Sequence, residues 1–125
     1  MTPMDIAKEA AGAASGKKAN RPVLLDLRGV SDLCEFQFIC SGENERQTRA
    51  IADAIEERCR TIGGVRPIAV EGKQTGNWIL LDYGATLIHI FFSPLRDYYG
   101  LEELWPKAKF VAIKPPPATP APQPN

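Results

Sequence analysis

The spacing of apolar residues predicts one long amphipathic helix in the middle of the chain, over "SGENERQTRAIADAIEERCRTIGG". Apolar residues recur there at spacings of four, four and three, which predicts one shared face: Ile51, Ile55, Cys59 and Ile62. Asn44 with Gln47 three residues later is typical of a helix start, and the pair Gly63-Gly64 is typical of a helix end. We therefore expect this helix to cover one face of a sheet.

Five extended stretches surround that helix. "RPVLLDLRG" is a continuous apolar run typical of a strand buried on both faces, and "CEFQFICSG" is a second strand candidate before the helix. Three more follow it, "VRPIAVEG", "NWILLDYG" and "ATLIHIFFSP", separated by loops that contain glycine. The last two are close enough together to form a hairpin through Gly84.

The order of elements predicts an α/β fold: a helix, two strands, a helix, three strands and a short helix that ends at Pro106. We expect two layers or a sandwich, with a mixed sheet of about five strands and flanking helices. Residues 1–20 form the first helix, which is rich in alanine and has a thin apolar side, so we expect it to dock loosely. Residues 21–110 form the main domain, and residues 111–125 a disordered, proline-rich tail.

The hairpin assigns the side chains of its two strands to opposite faces of the sheet. If it turns on the two residues Gly84 and Ala85, one face is apolar and belongs to the core: Ile79, Leu81, Tyr83, Ile88 and Ile90. The other face then mixes rings with a carboxylate and an imidazole: Trp78, Leu80, Asp82, Leu87, His89 and Phe91. Such a face is costly to bury dry, so we expect it to be half exposed. A loop of three residues would reverse this assignment.

Aromatic residues are concentrated in residues 78–105, which hold both tryptophans, all three tyrosines and the only histidine. After the hairpin, four residues share one side of the predicted short helix: Leu95, Tyr98, Leu101 and Trp105. For Leu101 and Trp105 we expect packing back on the sheet. Gly100 weakens that helix. Arg96, Tyr99 and Glu102 point elsewhere and are better candidates for contact with a partner.

Composition excludes several classes of protein. The 125 residues carry 15 basic and 15 acidic side chains, so there is no overall charge with which to hold nucleic acid phosphates. No apolar run approaches the roughly 18 residues of a membrane span, and Asp5 and Glu9 lie where a signal peptide would be basic and then apolar. We therefore expect a cytoplasmic protein with no membrane contact.

The three cysteines lack C-x-x-C spacing and are expected to be buried and reduced.

Motifs for catalysis are missing from the sequence. His89 lies between two isoleucines on a strand, where a structural role is more common than catalysis. One histidine and scattered cysteines do not make a zinc site, and "EGKQTGN" lacks the order of a phosphate-binding loop. We therefore expect no catalytic residue, no metal and no cofactor. A surface rich in Trp, Tyr and Arg favours a binding module.

Two stretches, "FQFICSGENERQTRAIADAIEE" and "VEGKQTGNWILLDYGATLIHIFFSPLRDYYGLEELW", resemble the ribosomal silencing factor family, also called RsfS or Iojap. The resemblance covers about residues 4–106. It implies a fold similar in outline to a nucleotidyltransferase core, without the catalytic carboxylates. It also implies binding to the fourteenth protein of the large ribosomal subunit, which blocks joining of the small subunit and represses translation when nutrients are short or in stationary phase. A role in late large-subunit assembly, a homodimer in the free protein and little direct contact with nucleic acid are further implications.

Carried over to this sequence, the family pattern implies seven partner contacts: Trp78, Asp82, Tyr83, His89, Arg96, Tyr98 and Tyr99. The hairpin argument places Tyr83 inward, which conflicts with a contact role unless its hydroxyl is exposed. The family often has an acidic residue after Asp-Tyr-Gly, whereas this chain has Ala85-Thr86. Two other functions stay open, a nucleotidyltransferase-like enzyme and a factor that acts in assembly alone.

Overall fold

The computed structural model describes residues 1–113, which form a six-stranded sheet with helices on its faces. The elements in chain order are α1 (Pro3–Gly16), β1 (Asn20–Asp26), β2 (Phe36–Gly42), α2 (Glu45–Gly63), β3 (Ala69–Glu71), β4 (Trp78–Asp82), β5 (Thr86–Phe92), α3 (Ser93–Tyr99), a 3-10 helix (Leu101–Leu104) and β6 (Lys109–Phe110). The predicted α/β class is confirmed.

The sheet is mixed, as predicted, and its strand order is β3-β4-β5-β2-β1-β6. The two central strands, β2 and β5, are parallel, and each of the other neighbouring pairs is antiparallel. The sixth strand was not predicted, because β6 has only two residues and is too short to show a periodic pattern. It pairs with β1 at the edge of the sheet.

The core lies on both faces of the sheet. All seven residues of β2 are buried, and its alternate side chains enter different apolar clusters: Phe38 faces α1 and α2, while Ile39 faces the opposite side. Leu24 and Leu25 of β1 divide in the same way, which confirms the prediction of a strand buried on both faces. Helices α1 and α2 cover the first face, and the segment after β5 covers part of the second.

Helix α2 follows its predicted caps. The Asn44 carboxamide oxygen accepts a hydrogen bond of 2.8 Å from the Gln47 backbone amide, and the left-handed Gly64 closes the other end. Ile51, Ile55 and Cys59 are buried as predicted. Ile62 differs and is exposed, since it lies at an open groove where α1 presents small residues that do not cover it.

Helix α1 packs closely on the core, in contrast to the loose docking expected from its thin apolar side. Six of its residues are buried: Ile6, Ala7, Ala10, Ala11, Ala13 and Ala14. Alanine contributes little to a hydrophobic pattern, yet its small side chain allows the helix backbone to approach α2 and the sheet closely. The Thr86 hydroxyl donates a hydrogen bond of 2.7 Å to the Pro3 carbonyl, and Glu9 pairs with Arg58 of α2 at 2.8 Å.

The hairpin has the predicted two-residue turn. Ile79 pairs with Ile90 and Leu81 with Ile88, and the Tyr83 amide donates to the Thr86 carbonyl at 2.9 Å. The five residues assigned to the core face are all buried in the cluster beneath α1 and α2. Period-two alternation was therefore sufficient to fix the register of β4 on β5.

The predicted short helix is divided in two at Gly100, which has a left-handed backbone and ends α3. Beyond β6, the Val111 amide donates a hydrogen bond of 2.8 Å to the Leu24 carbonyl, and Ile113 packs against the helix-side cluster. The first residues of the predicted tail at 111–125 thus belong to the packed domain. The rest of that tail lies outside the described residues.

The packing of α1 gives a stability test. Replacing Ala10, which is fully buried, by leucine adds volume to a filled interface, so we expect Ala10→Leu to lower the free energy of unfolding by about 1–3 kcal/mol. Lys8→Leu introduces the same side chain at an exposed position of α1 and is expected to change it by less than about 0.5 kcal/mol. Urea unfolding measures both. Equal stability of the two variants would show that α1 is loosely docked after all.

Candidate functional site

Five rings gather on the sheet face opposite α1 and α2, and we call them the ring cluster: Trp78, His89, Phe91, Tyr98 and Tyr99. The Trp78 ring centroid lies 4.9 Å from that of Phe91 and 4.8 Å from that of Tyr99, both tilted. Tyr98 meets Tyr99 edge to face at 5.2 Å. Such tilted and edge-on pairs are favourable arrangements for aromatic rings.

Strand register and chain direction bring these rings together. Trp78 at the start of β4 lies opposite Phe91 near the end of β5, and His89 shares their face because side chains alternate along a strand. Helix α3 begins directly after β5, so Tyr98 and Tyr99 return over the same end of the sheet. The ring cluster therefore combines a flat strand surface with a short helix.

The ring cluster is graded from buried to exposed. Phe91 and His89 are buried and form its floor, and Trp78 is half-buried. Tyr99 is 48% exposed and Tyr98 80% exposed. Because Tyr and Trp are frequent in the energetic centres of protein interfaces, this graded arrangement suits contact with another macromolecule.

His89 is held as a neutral imidazole inside the cluster. The Trp78 indole N–H donates to His89 Nδ1 at 3.1 Å, so the imidazole proton is on Nε2, which is buried without a hydrogen-bond partner. Burial lowers the pKa of His89 to about 4. The ring therefore stays uncharged near neutral pH, in agreement with the structural role expected from the sequence.

Three of the seven predicted contacts lie inside the molecule. Tyr83 belongs to the core beneath α1 and α2, on the other side of the sheet from Trp78, and its buried hydroxyl has a raised pKa because of desolvation. Arg96 is 1% exposed, and His89 is 6% exposed. Alternation predicted the inward position of Tyr83, whereas the burial of an arginine on a short helix could not be inferred from spacing.

Of the other predicted contacts, Trp78, Tyr98 and Tyr99 come together, and Asp82 does not join them. Asp82 ends β4, roughly 13 Å along the strand from Trp78, and its carboxylate accepts a hydrogen bond of 2.7 Å from the Gly84 amide. That bond stabilises the hairpin turn.

Phe91 was absent from the predicted contacts, although it supports both Trp78 and Tyr99. Alternation along β5 already placed Phe91 on the same face as Trp78.

The three cysteines are free and buried, as predicted. Burial raises the pKa of the Cys40 thiol to about 12, so the thiol is not reactive near neutral pH. Within residues 1–113, no group of three or more His, Cys, Asp or Glu side chains is arranged to hold a metal ion. Over the same residues, no helix has the length and apolar character needed to cross a membrane.

Comparison with known proteins gives consistent matches. The family model described as "Ribosomal silencing factor during starvation" matches residues 1–124. The chain is 32% identical to Ribosomal silencing factor RsfS of Halalkalibacterium halodurans over 91% of this chain and 97% of the relative. It is 34% identical to RsfS of Bacillus subtilis over 90% and 95%. A crystal structure of a Chromobacterium violaceum protein superposes with a TM-score of 0.81 at 28% identity, covering 96% of this chain and 98% of the other.

The neutral state of His89 makes stability depend on pH in a defined window. Its folded pKa of about 4 lies below the ordinary value of 6.5, so between these values the unfolded chain binds more protons. The free energy of unfolding should therefore fall as pH drops from 6.5 to 4, by roughly 2–3 kcal/mol from this group. His89→Asn keeps an acceptor for the Trp78 indole and should lose this contribution.

The measurement is urea unfolding of both proteins at several pH values, with the difference taken at each pH to cancel the carboxylates they share. Since His89 is the only histidine, the difference between the two proteins should change between pH 6.5 and 4 and be constant above that range. A difference that is constant throughout would mean that the folded imidazole accepts a proton as readily as the unfolded one.

Proposed function

This chain belongs to the ribosomal silencing factor family, and from that premise we propose that it binds the large ribosomal subunit through the ring cluster and blocks joining of the small subunit. The proposed attachment point is the fourteenth protein of the large subunit. A bound protein there acts as a steric obstacle, so translation is repressed when nutrients are limiting or growth stops.

The observation that carries this proposal is the graded exposure of the ring cluster. Tyr99 is supported from behind by Trp78 and Phe91, so it needs little further ordering when a partner covers it. Preorganised side chains lose less conformational entropy on binding and so contribute more of their contact energy to affinity. Tyr98, at 80% exposed, offers a ring whose removal disturbs little within the chain itself.

Charge around the ring cluster supports a protein partner with basic side chains. Exposed Glu103 lies in the 3-10 helix that follows the two tyrosines, and Asp97, whose 76% exposed side chain precedes them, pairs with Arg21 at 3.0 Å. Acidic groups at an interface rim favour a basic partner and repel nucleic acid phosphates. The proposed contact is therefore with ribosomal protein, with little direct contact with ribosomal RNA.

Several further properties belong to this proposal. The protein acts as a non-enzymatic factor in the cytoplasm, needs no cofactor, and forms a homodimer when it is not on the ribosome. Alanine and threonine at positions 85 and 86 replace the acidic residue frequent in the family, which removes one attraction to a basic surface at the hairpin end. A role in late large-subunit assembly is compatible with the same binding surface.

The proposal predicts that Tyr98→Ala and Tyr99→Ala weaken binding to purified large subunits. Truncating an aromatic residue at an interface centre commonly costs about 2 kcal/mol, which corresponds to roughly a 30-fold loss of affinity. Cosedimentation with large subunits measures binding, and a gradient with both subunits present measures joining. The unmodified protein should travel with the large subunit and reduce the joined peak.

Ile62→Ala is the matched control, because Ile62 is 55% exposed on α2, which packs on the opposite face of the sheet. It should bind as the unmodified protein does. If the unmodified protein binds large subunits without reducing the joined peak, a role in assembly alone replaces silencing. If the tyrosine variants bind normally, the ring cluster is not the docking surface.

A further inference from the structure

Arg96 has an unusual position for a charged residue. Its side chain is 1% exposed, and of the seven residues of α3 it is the one that is buried. Buried charges are costly unless they are paired and hydrogen-bonded. A helix whose buried contact is an arginine depends on that arginine's hydrogen bonds for its attachment to the domain.

The guanidinium of Arg96 joins three separate parts of the chain. Its Nε and Nη2 donate to the two carboxylate oxygens of Glu102 in the 3-10 helix, at 3.3 and 2.9 Å. Its Nη1 donates to the Arg21 carbonyl at 2.5 Å and reaches the Asn20 carbonyl at 3.4 Å, both at the start of β1. The same nitrogen lies 3.3 Å from the Ser41 hydroxyl at the end of β2.

The carbonyls that Arg96 reaches lie at an irregular part of β1. The pairing of β1 with β2 shifts register between Asn20 and Val23, and Arg21 has a positive φ of 49°, which is uncommon for a residue with a side chain. Carbonyl groups at such a shift lose regular ladder partners and need other donors. Arg96 supplies these donors from inside the protein.

Besides Arg96, two polar contacts tie helix α3 to the sheet: the Ser93 hydroxyl donates to the Gly42 carbonyl at 2.9 Å, and Asp97 forms an exposed ion pair with Arg21. The helix has seven residues and no side-chain hydrogen bond at its N-terminal cap, so it has little stability of its own. It nevertheless carries Tyr98 and Tyr99, and Tyr99 must lie against Trp78 for the ring cluster to exist. The orientation of these tyrosines therefore depends on whatever fixes α3 to the sheet.

We infer that Arg96 is a positioning residue for the partner surface: its planar hydrogen-bonding fork fixes α3 to β1, β2 and the 3-10 helix, and thereby holds Tyr99 on Trp78 and Phe91. This inference rests on the proposed function for its binding consequence. It also replaces the direct contact role expected for Arg96 from sequence, because a guanidinium enclosed by its own chain offers no donor to a partner.

Arg96→Lys tests the inference, because lysine keeps the charge but cannot make two parallel bonds to Glu102 and also reach the β1 carbonyls. In the isolated variant, nuclear Overhauser contacts between the Trp78 and Tyr99 rings should be lost or strongly reduced. Affinity for purified large subunits should fall about 5- to 20-fold, since the tyrosines must then be ordered on binding. Urea unfolding should remain a single cooperative transition.

Arg60→Lys is the matched control, since it makes the same substitution in the exposed ion pair between Arg60 and Glu57 on α2, which packs on the opposite face of the sheet. It should leave the ring contacts and the affinity unchanged. If Arg96→Lys does not fold, Glu102→Gln weakens the same network from its partially exposed side and should show the same two losses to a smaller extent.

The outcomes separate this inference from the proposed function. Intact ring contacts in both the Arg96→Lys and the Glu102→Gln proteins would overturn the positioning role, whatever happens to binding. Lost ring contacts with unchanged affinity would also overturn it. If the unmodified protein fails to bind large subunits, the proposed function fails, while the ring contacts in the free variants still decide whether Arg96 positions α3.

Discussion

The structure depends on burying both faces of its two central parallel strands. β2 is buried along its whole length and β5 along most of its length, so each needs cover on both sides. The first face receives two full helices of 14 and 19 residues. Among residues 1–113, the second face receives shorter pieces: α3, the 3-10 helix, the chain that leads into β6, and the connection between β1 and β2 that carries Leu27 and Cys34. This unequal cover leaves part of the second face to large side chains that protect the strands from water by themselves.

The ring cluster follows from that unequal cover. A ring can shield apolar neighbours with one side while its other side or its polar tip meets water, which suits Trp and Tyr at the border of a core. Trp78 packs on Phe91 and donates its indole proton to His89, so it stabilises the fold as well as forming the surface. The same side chains that complete the core therefore define the surface proposed for the partner.

The sequence was sufficient where a repeating pattern decides structure, and insufficient where a single contact does. Alternation fixed the register of β4 on β5, and the spacing of Ile51, Ile55 and Cys59 with a capping residue fixed α2. The close docking of α1 escaped prediction because alanine carries little apolar signal. The burial of Arg96 escaped it because charged residues are usually exposed, and only the fold shows that carbonyls of β1 lie within its reach. The outward rings were predictable as a group, and their individual burial was not.

Some side chains of the ring cluster both pack in the core and form the proposed binding surface, and this double role affects how mutations there are interpreted. Substituting Trp78 or Phe91 removes packing together with any partner contact, so a loss of binding does not by itself assign them a contact role. Tyr98 is mostly exposed and Tyr99 about half exposed, which separates the two effects. Under the proposed function, α3 covers part of the second face of the sheet and the bound partner covers the rest. The partner is then a third layer over that face. Affinity would then depend on how well α3 is held before binding, which makes an internal arginine as relevant to the interface as the rings themselves.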